Sequence, residues 1–151
     1  MRQVKIIISW LLVIALMIFI YYFSDQRGVV SSNASNGVTK VIFDVFNLDS
    51  LFEFESFHSF VRKLAHFSVY AVLGVLVYNA IYCSFKTSYI NILIYSMILI
   101  GMCASFDEIH QLYVLGRSCE VRDVLIDCSG GSIGALLYYF KLKIGWFKND
   151  L

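Results

Sequence analysis

Ser105-Phe106-Asp107-Glu108-Ile109-His110-Gln111 decides how this chain is read. It closes a long apolar segment. Through Gly116-Arg117 and Arg122-Asp123 it then leads into a second apolar segment that carries Asp127. Acids and bases therefore gather where two membrane spans are expected to meet. A charged group at mid-membrane costs roughly 2.5–3.5 kcal/mol on insertion scales. A stretch that keeps so many is expected to use them.

Composition supports the membrane reading. The chain has 151 residues, 59% hydrophobic and 15% charged. A soluble domain is about 45–50% apolar and about a quarter charged. A net charge of +1 gives no basic face for nucleic acid, so no nucleic-acid partner is expected. There is no proline, so no span is kinked by that residue. Cys83, Cys103, Cys119 and Cys128 form no CxxC pair and read as packing residues.

Working outward, four spans are expected, at about 6–23, 64–82, 89–106 and 124–140. Each approaches the roughly 20 apolar residues that cross a bilayer. The first is too long for the ~7–15-residue core of a signal peptide and reads as an uncleaved anchor. Between the first two spans, Val41, Ile42, Val45, Phe46, Leu48, Leu51, Phe52 and Phe54 recur among Asp44, Asp49, Glu53 and Glu55. Spacings of three and four predict an amphipathic helix at the interface or over the bundle. Gly130 and Gly134 form a GxxxG pair, which lets helix backbones touch. The expected fold is an all-α four-span bundle with an amphipathic helix in its first external loop. Residues 1–140 form the membrane domain and 141–151 a basic tail.

Loop charge sets the orientation. With both termini cytoplasmic, the inner segments hold Arg2, Lys5, Lys86, Lys141, Lys143 and Lys148 against one acid, Asp150. Basic density near span ends decides topology more than acids do. Both termini are therefore expected inside, and the polar stretch outside.

The chemistry-bearing residues fall on shared helical faces. Lys63, His66 and Tyr70 lie at i, i+3 and i+7, and Gly74 continues the stripe. Asp107 and Gln111 lie at i, i+4 with Glu108 beside them, and Asp123 and Asp127 are one turn apart. His66 reads either as a functional group or as a histidine bonded to a neighbouring helix. Asp127 reads either as a site residue or as a carboxylate neutralised by Arg117 or Lys63. His110, His58, Arg27 and Lys40 carry no argument; His110 is read as surface.

Three segments carry a resemblance. Arg62-Lys63-Leu64-Ala65-His66-Phe67-Ser68-Val69-Tyr70 resembles the RKxxHFxxY signature of VanZ-like membrane proteins, and Asp107-Glu108-Ile109-His110-Gln111 their DExxQ signature. Gly116-Arg117 with Asp123, Asp127 and Gly130 resembles their third motif. Each is weak alone; together, in this order and spacing, they are specific. Tyr113-Val114-Leu115 departs from the pattern, because the family often places a proline before the glycine. The resemblance implies a multi-pass protein of the bacterial cell membrane. It also implies a link to glycopeptide (teicoplanin-type) resistance, for which the family is named. It implies no particular reaction.

Three functions follow as expectations. In the first, the site binds an amphiphile, either a lipid-linked wall precursor or a lipoglycopeptide. Lys63 and Arg117 would meet phosphate or carboxylate, with Tyr70, Asp107, Gln111 and Asp123 completing the pocket. In the second, His66 with Asp127 or Glu108 acts as acid and base of a membrane-embedded hydrolase or transferase, which a metal could assist. In the third, the polar network only specifies how the spans assemble. Charge counting favours a self-paired network with no metal and no cofactor; the alternatives are a divalent ion with His66 as nitrogen ligand and protonation of one buried carboxyl. HExxH and GxSxG are absent, so the corresponding protease and hydrolase patterns are not expected.

Overall fold

In the computed structural model, residues 2–24, 37, 39–45, 53–114 and 120–149 are described, the last four by backbone alone. Four long helices account for most of them: α1 (Arg2–Ser24), α3 (Phe54–Ser84), α4 (Tyr89–Gln111) and α5 (Val121–Asn149). A short helical piece at residues 39–45 is α2. There is no strand among the described residues.

α1, α3 and α4 are long and apolar enough to cross a membrane. α5, where the sequence predicts a fourth span, is not among them. It has 29 residues, but Arg122, Asp123, Asp127, Lys141 and Lys143 dilute its apolar character. It runs without a break through 141–149, where the sequence reading places a tail.

Two further boundaries move by five residues or more. α3 begins ten residues before the expected span, adding about 15 Å of helix at 1.5 Å per residue. The extension has a local cause: Phe43 of α2 packs its ring on Phe54 and Phe57, with centroids 5.4 and 5.5 Å away. That buried contact carries the helix beyond the apolar run. The rest of the expected amphipathic helix, residues 46–52, lies outside the described residues. α4 in turn extends through Asp107–Gln111, so the deciding stretch is helical to its end. Its start is capped by Ser88, whose Oγ accepts from Asn91 N at 3.3 Å.

α3 is the hub. It packs against α1, α4 and most extensively α5. It runs antiparallel to α1 and α4 but parallel to α5, whose residues keep register with it. The glycines make that approach possible. A Cβ at Gly130 would collide with the Phe67 carbonyl, one at Gly134 with the Ala71 carbonyl, and one at Gly74 with the Gly131 carbonyl. The GxxxG expectation is therefore met in a backbone-to-backbone contact.

The surface is apolar where a soluble protein would be polar. Ile18, Phe19, Ile98, Met102, Phe106 and Leu125 all face outward. Serines along the helices satisfy their hydroxyls internally: Ser68, Ser96, Ser105 and Ser129 each donate to the carbonyl four residues back. At one end of the bundle a neutral polar belt joins three helices. Tyr138 donates to Asn79 Oδ1 at 2.7 Å, Asn79 Nδ2 to Ser9 Oγ at 3.0 Å, and Trp10 Nε1 to Ser84 Oγ at 3.0 Å. Cys83, Cys103 and Cys128 are free thiols, and Cys119 lies outside the described residues.

Candidate functional site

At the other end, the last turns of α4 reverse the rule for a soluble helix. Asp107, Glu108 and Gln111 are buried, while Phe106 is 72% exposed and Ile109 also faces out. In water that inversion would be costly; beside hydrocarbon it hides charge and offers lipid an apolar face.

The helices bring three of these side chains to one point. His66 of α3, Asp107 of α4 and Asp127 of α5 offer ligand atoms that all lie within 4.8 Å of one another. Asp127 is 2% exposed, and its Oδ1 stands 3.6 Å from His66 Nδ1. That is an ion-pair separation, longer than the 2.7–3.2 Å of an N–H···O hydrogen bond. One turn away on the same two helices, Lys63 Nζ lies 3.7 Å from Asp123 Oδ1 in a more exposed pair. The α3–α5 contact thus carries two charged rungs, an outer Lys63–Asp123 rung and an inner His66–Asp127 rung. The register of α3 on α5, set by the glycines below, aligns both.

Glu108 has a different task. It is buried, and its Oε1 accepts from Glu120 N at 2.6 Å. The carboxylate therefore closes the gap between the end of α4 and the start of α5, where free N–H groups favour an anion. The sequence placed it with His66 and Asp127 as a candidate acid or base. Its geometry makes it a clasp at the helix junction. Gln111 is buried on the same face, and Tyr70 is buried on α3. Arg117 lies outside the described residues.

A cavity of about 620 Å³ adjoins the cluster. Ile14, Met17, Ile18 and Tyr21 of α1 form one wall, Tyr70 and Leu73 of α3 the floor, and Met102, Cys103, Phe106 and Asp107 of α4 the other wall. Its volume is that of a small-molecule pocket, about 300–1,000 Å³. The lining is almost wholly apolar, with the hydroxyl-bearing Tyr21 and Tyr70 and the carboxylate of Asp107 as its polar members. Several wall residues, Ile18, Met102 and Phe106 among them, also face outward, so the cavity is a groove in the lipid-facing surface.

The VanZ/LLP1 family model matches residues 9–142, nearly the whole chain. The chain belongs to the VanZ-like family. No curated protein and no solved structure matches it. The three VanZ-like segments quoted from the sequence contribute one member each to the cluster: His66, Asp107 and Asp127.

Two features escaped the sequence reading. The α1 wall of the groove was invisible, because an anchor and a groove wall look alike in an unbroken apolar run. His110, read as surface, is half-buried and stacks on Tyr21 with ring centroids 4.3 Å apart. The aromatic pair Tyr21-Tyr22 at the end of α1 was the available signal.

Proposed function

We propose that this VanZ-like protein binds an amphiphile, its chain in the groove between α1, α3 and α4 and its head group at His66, Asp107 and Asp127. One observation carries the reading: Asp107 belongs both to the groove wall and to the polar cluster. Apolar walls accept a hydrocarbon chain, and the carboxylates accept hydrogen bonds from hydroxyl or ammonium groups. A glycosylated lipid-linked wall precursor or a lipoglycopeptide has both parts. Tyr70 lines the groove and Gln111 is buried one turn beyond Asp107 on the same helix, and Arg117 would meet a phosphate or carboxylate on the same ligand. Lys63 and Asp123 hold the rim as a pair.

In this proposal α5 is the fourth span, paired to α3 along its length, and α2 lies over the start of α3 as an interfacial helix. Both termini are cytoplasmic, and the cluster opens near the outer leaflet of a bacterial cell membrane. Binding there would contribute to tolerance of teicoplanin-type drugs. The test fills the groove from its wall. Met17→Trp adds bulk at a partly exposed position, so the fold is retained. Native mass spectrometry with teicoplanin should then show the complex with the parent protein and lose it with the variant. Equal binding by both would reject the groove.

A second reading has its own observation. The His66–Asp127 pair beside the groove is the geometry of a proton-transfer couple once a substrate draws it together. Under it, His66→Gln and Asp127→Asn retain binding but stop turnover of the lipid substrate.

A further inference from the structure

We infer that His66, Asp107 and Asp127 form a binding site for a divalent transition-metal ion of the zinc or manganese type. The inference departs from the metal-free network that charge counting favours. It stands on three features of the cluster.

The first is donor chemistry. One imidazole and two carboxylates, each from a different helix, make a three-ligand set that leaves coordination positions open. Imidazole selects against magnesium and calcium, which take oxygen ligands, and carboxylates suit zinc and manganese.

The second is spacing. Metal–nitrogen and metal–oxygen bonds of about 2.0–2.2 Å at a tetrahedral angle put two ligand atoms roughly 3.4 Å apart. His66 Nδ1 and Asp127 Oδ1 are 3.6 Å apart. That is too long for a hydrogen bond and close to the separation of two ligands on one ion.

The third is the state of Asp127. Its side chain is only 3% exposed and is directed at the cluster, and its Oδ1 makes no hydrogen bond. Its neighbour, His66 Nδ1 at 3.6 Å, is a cation only when protonated, and an ion held between the two would neutralise the buried carboxylate whatever the state of the imidazole. The lysine nearest this part of α3, Lys63, is paired one turn away with Asp123.

An ion at this point would neutralise the two carboxylates and tie α3, α4 and α5 together. Because Asp107 also lines the groove, an open coordination position would face a head-group oxygen. Only that last clause rests on the amphiphile reading; the site itself does not.

The experiment uses the full chain in detergent with no teicoplanin and no lipid added. Protein stripped with EDTA is equilibrated with ZnCl2, MnCl2 or MgCl2, and bound metal is counted by mass spectrometry alongside the thermal midpoint. The expected result is about one equivalent of zinc or manganese per chain, with a raised midpoint that EDTA reverses. His66→Gln and Asp127→Asn should each lose the metal, and Cys83→Ala should retain it. Failure of the stripped parent protein to take up zinc or manganese would overturn the site, as would uptake undiminished in His66→Gln and Asp127→Asn. The parent titration decides even if a variant fails to fold. If the titration overturns the metal site, teicoplanin binding that persists in EDTA leaves the amphiphile reading standing.

Discussion

Two polar regions lie along α3, about 20 Å apart by helix rise from His66 to Asn79. The Asn79 belt joins α1, α3 and α5 by neutral groups at 2.7–3.0 Å, and its recorded hydrogen bonds are short. The His66 cluster joins α3, α4 and α5 by ionisable groups, and its recorded pair is 3.6 Å apart. The first costs little to bury and needs no further partner. The second concentrates charge beside a groove. Polar residues in a membrane are therefore of two kinds here: one closes the bundle, and the other, in the proposed function, meets a ligand.

The glycine contact of α3 with α5 supports both regions, so breaking it should have the largest effect. A methyl at Gly130 meets the Phe67 backbone, which cannot move independently of its helix. Gly130→Ala should lower stability by on the order of 3 kcal/mol and abolish binding and the Asn79 belt together. Thermal unfolding in detergent reads this out. Survival of the variant with normal binding would show that the helices can slide apart without losing either region.

The next effect separates the regions. Asp127→Asn removes a buried charge while keeping shape. In EDTA-stripped protein stability should be unchanged or raised, since burying a carboxylate beside a neutral imidazole costs more than burying an amide. Teicoplanin binding should fall at least about tenfold, or about 1.4 kcal/mol. Asn79→Leu should do the reverse. It loses hydrogen bonds worth about 0.6–1.7 kcal/mol in a bundle, with binding unaltered. Equal loss of binding in both variants would erase the distinction between the two kinds of polar residue.

The smallest effect is expected at the rim. Lys63 and Asp123 are each about a quarter exposed, so their pair is partly screened. Lys63→Gln should cost about 0.5 kcal/mol or less, diminishing further as salt rises. A large, salt-independent loss would mean that the outer rung belongs to the cluster.

Much of this was legible from residues alone. Helical spacing put Lys63, His66, Tyr70 and Gly74 on one stripe, and in the fold Lys63, His66 and Gly74 meet α5 while Tyr70 floors the groove. Asp107 with Gln111, and Asp123 with Asp127, were likewise assigned to common faces, and each pair turns inward or toward α3. Convergence of His66 with Asp127 followed from requiring charged faces to meet. What the sequence could not give was the order of helices around α3, and hence the groove. A run such as Ile6–Phe23, apolar almost throughout, does not say which neighbour each of its sides will meet. The junction contact of Glu108 was not legible for a related reason. Its neighbours in sequence are the cluster residues, but its partner, the Glu120 amide, depends on how the chain turns between α4 and α5. α5 was expected as a span of about seventeen residues, but helix continues across its charged ends because charge alone does not stop a helix.

The central claim is that groove and cluster are one site, joined through Asp107. The dissociation constant of teicoplanin for Asp107→Asn, measured beside the parent protein at matched thermal stability, tests it most directly. The account predicts binding weakened at least about tenfold. An unchanged constant in a folded variant would contradict it.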